Sequence, residues 1–132
     1  MSGAEDPAHI AELFAAFGPV AVRRMFGGAG IFADGMMFGL VDDGVIYLKA
    51  DEHTIPAFER EGLGPFTYAT KTGTRSLASY WRMPERLYDE PGELANWAAQ
   101  ALEVARRTAP RSAHARKPQS GNKRARRRVR PR

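Results

Sequence analysis

The chain has 132 residues, enough for one domain with an ordinary hydrophobic core, and no cysteine, which excludes disulfides, a thiolate nucleophile and a cysteine-ligated zinc site. Its charges are segregated, because residues 1–107 hold ten Lys and Arg against fifteen Asp and Glu, whereas residues 108–132 hold ten Lys and Arg and no acid. The start lacks the pattern of a signal peptide, and no apolar run is long enough to span a bilayer, so a cytoplasmic location without membrane contact is predicted.

The first predicted element is a helix that begins at Pro7, because Asp6 is a favoured N-cap and proline is favoured at the first helical position. It ends at Gly18-Pro19. One apolar stripe at helical spacing should place this helix on the rest of the domain, namely Ile10, Leu13, Phe14 and Phe17.

Residues 20–50 are predicted to form the centre of the domain, a meander of three or four short antiparallel strands. Asp34-Gly35 and Asp43-Gly44 each lie between apolar runs rich in Val, Ile, Phe and Tyr, which is the strongest short-range signal for a hairpin turn. The last of these strands should place Ile46, Leu48 and Ala50 on one face and Val45, Tyr47 and Lys49 on the other.

A segment rich in arginine and glycine lies within this meander and is predicted to be a structural motif. It consists of Arg23, Arg24, Met25, Phe26, Gly27, Gly28 and Gly30. The glycines are expected between two strands, where the absence of a Cβ permits a tight reversal or a close approach of another backbone. Arg23 and Arg24 point to opposite faces, so one of them must extend out from the covered face or pair with an acid. A structural role in orienting the glycine turn is favoured over an anion site.

The same glycines also fit a dinucleotide-binding fingerprint, with Gly28, Gly30 and Ala33 at its fixed positions and Asp51 at the distance of its ribose-binding acid. That fingerprint binds phosphate where a helix begins at the glycines. Here Asp34-Gly35 interrupts the chain and strand-forming residues follow. A structural turn is therefore predicted, and no cofactor is expected.

Beyond the meander, a short helix is predicted between Asp51 and Gly62, with either Thr54 or Asp51 as its N-cap. Two β-rich runs follow, at residues 66–68 and 77–83. A polar loop over residues 71–76 should join them as a hairpin added to the sheet.

After a single turn at residues 84–88, the last predicted helix opens with an acidic first turn around Pro91 and ends with Arg106-Arg107, where the helix dipole favours positive charge. Its apolar stripe consists of Leu94, Trp97, Ala98, Ala101, Leu102 and Ala105. Beyond it, Val129 is the one strongly apolar residue among ten cations. The sequence therefore predicts a globular domain of residues 1–107 and a disordered basic tail of residues 108–132.

Several of these segments together resemble the N-terminal domain of the TfoX/Sxy competence regulators. The likeness covers about residues 8–107 and rests on pieces in the same order and spacing, namely residues 23–30, 37–41, 45–49, 62–68 and 79–84. With the turns and periodicity, it implies an α+β two-layer sandwich, an antiparallel sheet of about five to six strands with helices packed on it. In family regulators a helical C-terminal domain follows, and together they promote transcription of DNA-uptake genes alongside the cyclic-AMP receptor protein. Here a basic tail follows residue 107.

No catalytic, cofactor-binding or metal-binding residue is predicted, and the protein is expected not to be an enzyme. A hydrolase triad requires a nucleophile, a base and an orienting acid, and His9, His53 and His114 have no such neighbours in the sequence pattern. Tyr80-Trp81 places large aromatic side chains on both faces of a late strand. One should fill the core, and the other is a candidate anchor for a protein partner.

Two functions remain as hypotheses. The first is a non-enzymatic interaction domain that acts in regulation through a protein partner. The second is a nucleic-acid-associated protein that binds DNA or RNA through its tail. The candidate contacts in the tail are Lys123, Arg124, Arg126, Arg127, Arg128, Arg130 and Arg132. The two hypotheses are compatible, and they differ in whether the chain without its tail still binds its target.

Overall fold

The computed structural model describes residues 6–25 and 27–108, which form a six-stranded antiparallel sheet, three α-helices and a 3₁₀ helix. In chain order these are α1 (Pro7–Leu13), β1 (Ala21–Met25), β2 (Gly28–Ala33), β3 (Met36–Asp42), β4 (Val45–Lys49), α2 (Ile55–Arg60), β5 (Pro65–Thr70), β6 (Gly73–Arg82), the 3₁₀ helix (Glu85–Asp89) and α3 (Pro91–Thr108). The strand order is β1-β2-β3-β4-β6-β5. The predicted α+β class is confirmed.

Both predicted hairpin turns are present and have the geometry that their sequences favour. Asp34 and Gly35 have φ angles of 53° and 76°, and Asp43 and Gly44 have φ angles of 53° and 78°. Two successive residues with positive φ make a type I′ turn, whose twist matches that of the flanking strands. These turns fix the register of β2 on β3 and of β3 on β4.

The hydrophobic core lies on one face of the sheet, beneath the helices. The sheet contributes Ile31, Phe38, Val41, Ile46, Leu48 and Trp81, and the helices contribute Ile10, Phe14, Phe58, Leu94, Ala98 and Leu102. The predicted stripe of α3 and the predicted alternation of β4 are thus confirmed. The first helix ends at Leu13 and not at Gly18-Pro19, so Phe14 and Phe17 of its predicted stripe lie in the turns that follow, although both pack on the core. Asp6 caps α1 as expected, because its carboxylate accepts a hydrogen bond from the N–H of Ala8 at 3.2 Å.

The β5–β6 hairpin differs from the prediction at its tip. The loop predicted over residues 71–76 is wrong, because only Lys71 and Thr72 form the turn and Gly73 to Ser76 pair with β5. Both faces of this hairpin tip are exposed. Its sequence is therefore polar throughout and lacks the alternation of apolar and polar residues that distinguishes a strand from a loop. In α2 the N-cap is Thr54, one of the two predicted alternatives.

Two arginines fix the C-terminal end of α3 to distant parts of the chain. An Nη2 atom of Arg106 lies 2.6 Å from Oδ2 of Asp34 in the β2–β3 turn, and an Nη2 atom of Arg107 lies 2.8 Å from Oδ2 of Asp51. The sequence predicted that these arginines suit the helix dipole, but their partners lie 72 and 56 residues away.

The carboxylate of Asp51 joins α3 to the start of α2. It accepts hydrogen bonds from the N–H groups of His53 at 3.0 Å and Thr54 at 3.2 Å, as well as from Arg107. Burial acts to raise the pKa of Asp51, but Arg107 and the two N–H groups outweigh burial and hold that pKa below its ordinary value of 3.8. Because the folded-state pKa is lowered, the ionised carboxylate of Asp51 stabilises the fold fully at pH values above its ordinary pKa of 3.8. This stabilisation is lost as the pH falls through the lowered pKa of the folded state.

We predict that Asp51→Asn lowers the free energy of unfolding by about 1 kcal/mol at neutral pH, because the charge that pairs with Arg107 is removed. The difference from the wild type should shrink once pH falls below the ordinary aspartate pKa. Urea unfolding followed by circular dichroism over that pH range tests this. Glu59→Gln, which removes an exposed acid of α2, is the control, and a penalty for Asp51→Asn that does not change with pH would contradict the prediction.

Of the helices between residues 6 and 108, none combines the length and the apolar character that crossing a bilayer requires.

Candidate partner-binding face

The face of the sheet opposite the helices, here called the open face, is apolar and only partly covered. Strand pairing places Met25, Phe32, Leu40, Tyr47 and Phe66 on it, and each of these side chains is partly accessible to solvent. Antiparallel sheets with one buried face usually carry polar side chains on the other. The apolar open face is therefore a candidate binding surface.

Strand β6 bends where its pairing changes from β5 to β4. Phe66 and Pro65 are adjacent in β5, but their partners in β6 are Leu77 and Trp81. The three residues of β6 between these partners are left without a partner in β5. Such bulges bend a strand and increase its twist. The indole N–H of Trp81 donates to the carbonyl of Ala78 at 2.9 Å and so supports the bend. The outer part of the hairpin thereby curves toward the open face.

This curvature makes a cleft of about 320 Å³ on the open face. Its lining includes Met25, Met37, Leu40, Asp42, Phe66 and Leu77, which come from β1, β3, β5 and β6. The strands at the two edges of the sheet thus meet across one concave surface. Its volume is in the range of small-ligand pockets, and its lining is almost entirely apolar.

Aromatic side chains form the wall of the cleft on the hairpin side. The ring of Phe66 makes an edge contact with Tyr47 at 4.9 Å between centroids and stacks on Tyr68 at 5.8 Å. Tyr68 is 43% exposed and Leu77 is 37% exposed, and these are two of the most exposed large apolar residues in the described part of the chain. The wall is therefore held together by its own contacts and remains accessible.

The charged residues of the strands are mostly cations. Five of the six charged residues in the strands are cations, namely Arg23, Arg24, Lys49, Arg75 and Arg82, and the sixth is Asp42. Arg75 pairs with Tyr68 and Arg82 pairs with Tyr47, so both lie on the open face. The acids lie mostly on the helices and loops. Three of them form ion pairs with Arg86, namely Glu61, Glu90 and Glu93. The open face is thus cationic in a domain that is acidic as a whole.

The two arginines of the predicted structural motif have different surroundings. The guanidinium of Arg23 lies over the ring of Phe32 on the open face, 5.1 Å from its centroid. Arg24 shares the other face with Val22, which packs against the core, and it is exposed at the edge of the sheet. Both arginines reach solvent, consistent with the expectation that the one on the covered face extends outward.

The glycines of this motif have distinct roles. Gly27, with a φ of 82°, lies at the turn between β1 and β2. Gly28 and Gly30 lie within β2 rather than between strands, which corrects the prediction. A Cβ on Gly28 would lie 2.1 Å from the carbonyl oxygen of Val41, so this position requires glycine because another backbone approaches closely. Since residues 28–33 form a strand, the helix that the dinucleotide fingerprint requires does not begin there.

Of the two predicted aromatic residues, one fills the core as expected, but the other is not exposed, because Tyr80 and Trp81 are 7% and 9% exposed. Trp81 packs in the core against Phe58, at 6.1 Å between centroids. Tyr80 lies on the other face, where the Lys49 ammonium covers its ring at 4.9 Å. Burial raises the pKa of Tyr80 to about 12 and lowers the pKa of Lys49. The pairing of Tyr80 with Lys49 of β4 is a long-range contact that has no signal in the local sequence.

The remaining residues that the sequence analysis considered are exposed or lie outside the described residues. His9 and His53 are exposed. Within residues 6–25 and 27–108, no group of three or more His, Cys, Asp or Glu side chains is placed to hold a metal ion. His114, Phe26 and the tail cations Lys123, Arg124, Arg126, Arg127, Arg128, Arg130 and Arg132 lie outside the described part of the chain.

Comparison with known proteins shows similarity to a protein family and to a curated relative. The family model of the TfoX N-terminal domain matches residues 12–105. The chain is 32% identical over 105 residues to a DNA transformation protein, TfoX1, from Aliivibrio fischeri. That match covers 76% of this chain and 50% of the relative, so this chain spans about half the length of the curated protein it matches.

Proposed function

Because this chain belongs to the TfoX family, with residues 12–105 matching its N-terminal domain, we propose that it is a non-enzymatic regulatory domain that acts in DNA uptake by binding a protein partner. The observation that carries the proposal is the family match over most of the globular part of the chain. The relative in Aliivibrio fischeri is named as a DNA transformation protein, which supports a role in the same process.

The open face supports the interaction part of this proposal. Monomeric proteins seldom leave a contiguous concave apolar surface exposed, and such surfaces commonly bind proteins or ligands. The cleft between Met25 and Leu77 has these properties, and among the described residues that line it Asp42 is the one ionisable side chain. Binding without chemistry is therefore the activity that this face supports best.

The proposal is tested by deleting the gene for this chain in its own cells and measuring transcripts of DNA-uptake genes together with the frequency of transformation. We expect both quantities to change several-fold and to return on complementation with the intact chain. Complementation with a variant that lacks residues 109–132 shows whether residues 1–108 are sufficient to restore transcripts and transformation. Unchanged transcripts and unchanged transformation after deletion would reject the proposed function.

We propose nucleic-acid binding through the tail as a second candidate function, because of the charge distribution along the chain. Seven of the last ten residues are Lys or Arg, and residues 108–132 contain no acid. A cationic strip can neutralise phosphates without a fixed geometry, and this tail has no aromatic residue to stack on bases. Binding is therefore expected to be independent of sequence.

If about five tail cations contact phosphates, log K for duplex DNA should fall with log salt at a slope of about −4 to −5. Fluorescence anisotropy near physiological ionic strength measures this slope. A chain that ends after Thr108 should lose the binding, while a scrambled tail of equal charge should keep it. Absence of binding by the intact chain at micromolar DNA would eliminate this second candidate.

A further inference from the structure

We propose that the cleft on the open face binds an amphipathic helix of a partner protein, with large apolar side chains seated in the cleft and acidic residues against its cationic rim. The inference deepens the proposed function, because it gives the chemistry of the partner, and it rests on that function for its biological meaning. The binding event itself is tested separately.

The lining of the cleft favours apolar side chains as its occupant. Met25, Met37 and Leu40 form its floor, and Phe66 and Leu77 form its wall. Methionine side chains are flexible and polarizable, and grooves that receive the apolar stripe of a helix often use them. A volume of about 320 Å³ accommodates about three large side chains, so the proposed partner helix presents three anchors, at positions i, i+4 and i+7.

The rim determines the charge of the occupant. Arg23 lies at the β1 side of the open face, and Arg75 and Arg82 lie at the β6 side. Asp42 is the acid among the lining residues. A partner helix whose flanks carry Glu or Asp would therefore meet opposite charge on both sides of its apolar stripe, which favours encounter and orientation.

The same charges argue against a second copy and against the chain's own tail. In a twofold dimer through this face the same patch would contact itself, so Arg75 and Arg82 would be brought close to the corresponding cations of the other subunit. The tail carries ten cations and no acid, and a rim of the same sign repels it. Complementarity therefore points to an acidic partner of a different sequence.

Single-stranded nucleic acid is also anionic, but the aromatic side chains of this face are poorly placed to stack on bases. The ring of Phe32 is covered by Arg23, and the ring of Tyr80 is covered by Lys49. Phe66 and Tyr68 stack on each other. Nucleic-acid platforms instead leave ring faces free for bases, so an apolar helix is the better match.

The test uses the intact chain and a fluorescein-labelled helical peptide of about 18 residues made of Leu, Phe, Ala, Glu and Gln. Its apolar residues follow the spacing above, and its glutamates flank the stripe. Two control peptides share the length, one with Lys in place of Glu and one with the same composition in scrambled order. The scrambled peptide retains any attraction to the basic tail. We expect the amphipathic acidic peptide to bind at least about tenfold more tightly than either control.

Two arginines of β1 provide a matched pair of variants. Arg23→Glu and Arg24→Glu make the same charge change at neighbouring exposed positions on opposite faces of one strand. Arg23→Glu should weaken peptide binding about tenfold, whereas Arg24→Glu should change it by less than about twofold. Leu40→Asp tests the floor of the cleft, and Leu77→Ser tests its wall at a side chain already 37% exposed. Circular dichroism establishes that each variant is folded.

Equal effects of Arg23→Glu and Arg24→Glu, or binding unaffected by Leu77→Ser, would overturn the proposal. Dimerisation of the intact chain that Leu40→Asp abolishes would also overturn the proposal, since the occupant would then be a second copy. So would Arg23-dependent binding of a single-stranded dT oligonucleotide in place of the peptide.

The same variants are introduced into the cells used for the transcript assay. If the wild-type gene restores transcripts and every cleft variant does so equally, this inference fails while the proposed function stands. If the peptide binds as expected and deletion leaves transcripts unchanged, the proposed function fails instead.

Discussion

Gly28→Ala is expected to destabilise the domain by about 3 kcal/mol or more, because the added methyl group meets the backbone of another strand. The new Cβ would lie 2.1 Å from the carbonyl oxygen of Val41 and 3.3 Å from its carbonyl carbon. Both atoms belong to the backbone of β3, so no side-chain rotation can relieve the contact. Strands β2 and β3 must separate locally, and hydrogen bonds between them must weaken.

Thermal and urea unfolding of the wild type and of Gly28→Ala measure this effect, with Gly64→Ala as the matched control. A Cβ on Gly64 has no neighbour within 4 Å, and this glycine does not have a positive φ. Gly64→Ala should therefore leave the free energy of unfolding within about 0.5 kcal/mol of the wild-type value. Similar stabilities for the two alanine variants would contradict the close approach at Gly28.

Phe38→Ala is expected to cost about 3–5 kcal/mol, the range found when a buried aromatic side chain is removed. Phe38 is fully buried at the register shift between β2 and β3, where α1 packs on the sheet. Its ring contacts Phe14 at 5.7 Å and Phe17 at 5.3 Å between centroids. The substitution would leave a cavity between α1 and the sheet that neither phenylalanine can fill without moving the helix.

Phe66→Ala on the open face is the comparison for Phe38→Ala. Phe66 is partly exposed and contacts Tyr47 and Tyr68, so its removal should cost only about 1 kcal/mol. It should nevertheless abolish peptide binding to the cleft. If Phe66→Ala destabilises the domain as much as Phe38→Ala, the open face is a second core and not a binding surface.

Sequence reasoning was most successful where the determinants are local. Asp34-Gly35 specifies a turn through its own backbone preferences, and the stripe of α3 follows from a spacing of three and four residues. Tyr80 shows where it failed, because its surroundings depend on how β6 divides its pairing between β4 and β5, which brings Lys49 over its ring. The cleft was missed for the same reason. The sequence indicated it in one way, because the strands are apolar on both faces. In β4, for example, Leu48 faces the core and its neighbour Tyr47 faces the open side.

The strand order has a consequence for how the domain folds. Within the described residues, four of the five strand pairings join neighbours in sequence, and the pairing of β4 with β6 is the exception. Local pairings close small loops and form quickly, whereas β4 and β6 must first enclose α2 and β5. We expect the four-strand meander to assemble first and the β5–β6 hairpin to dock last. Since β1 and the hairpin line opposite sides of one cleft, the binding surface comes into existence only at that final step. Transient undocking of the hairpin would remove the surface and would also withdraw Trp81 from the core beneath the helices.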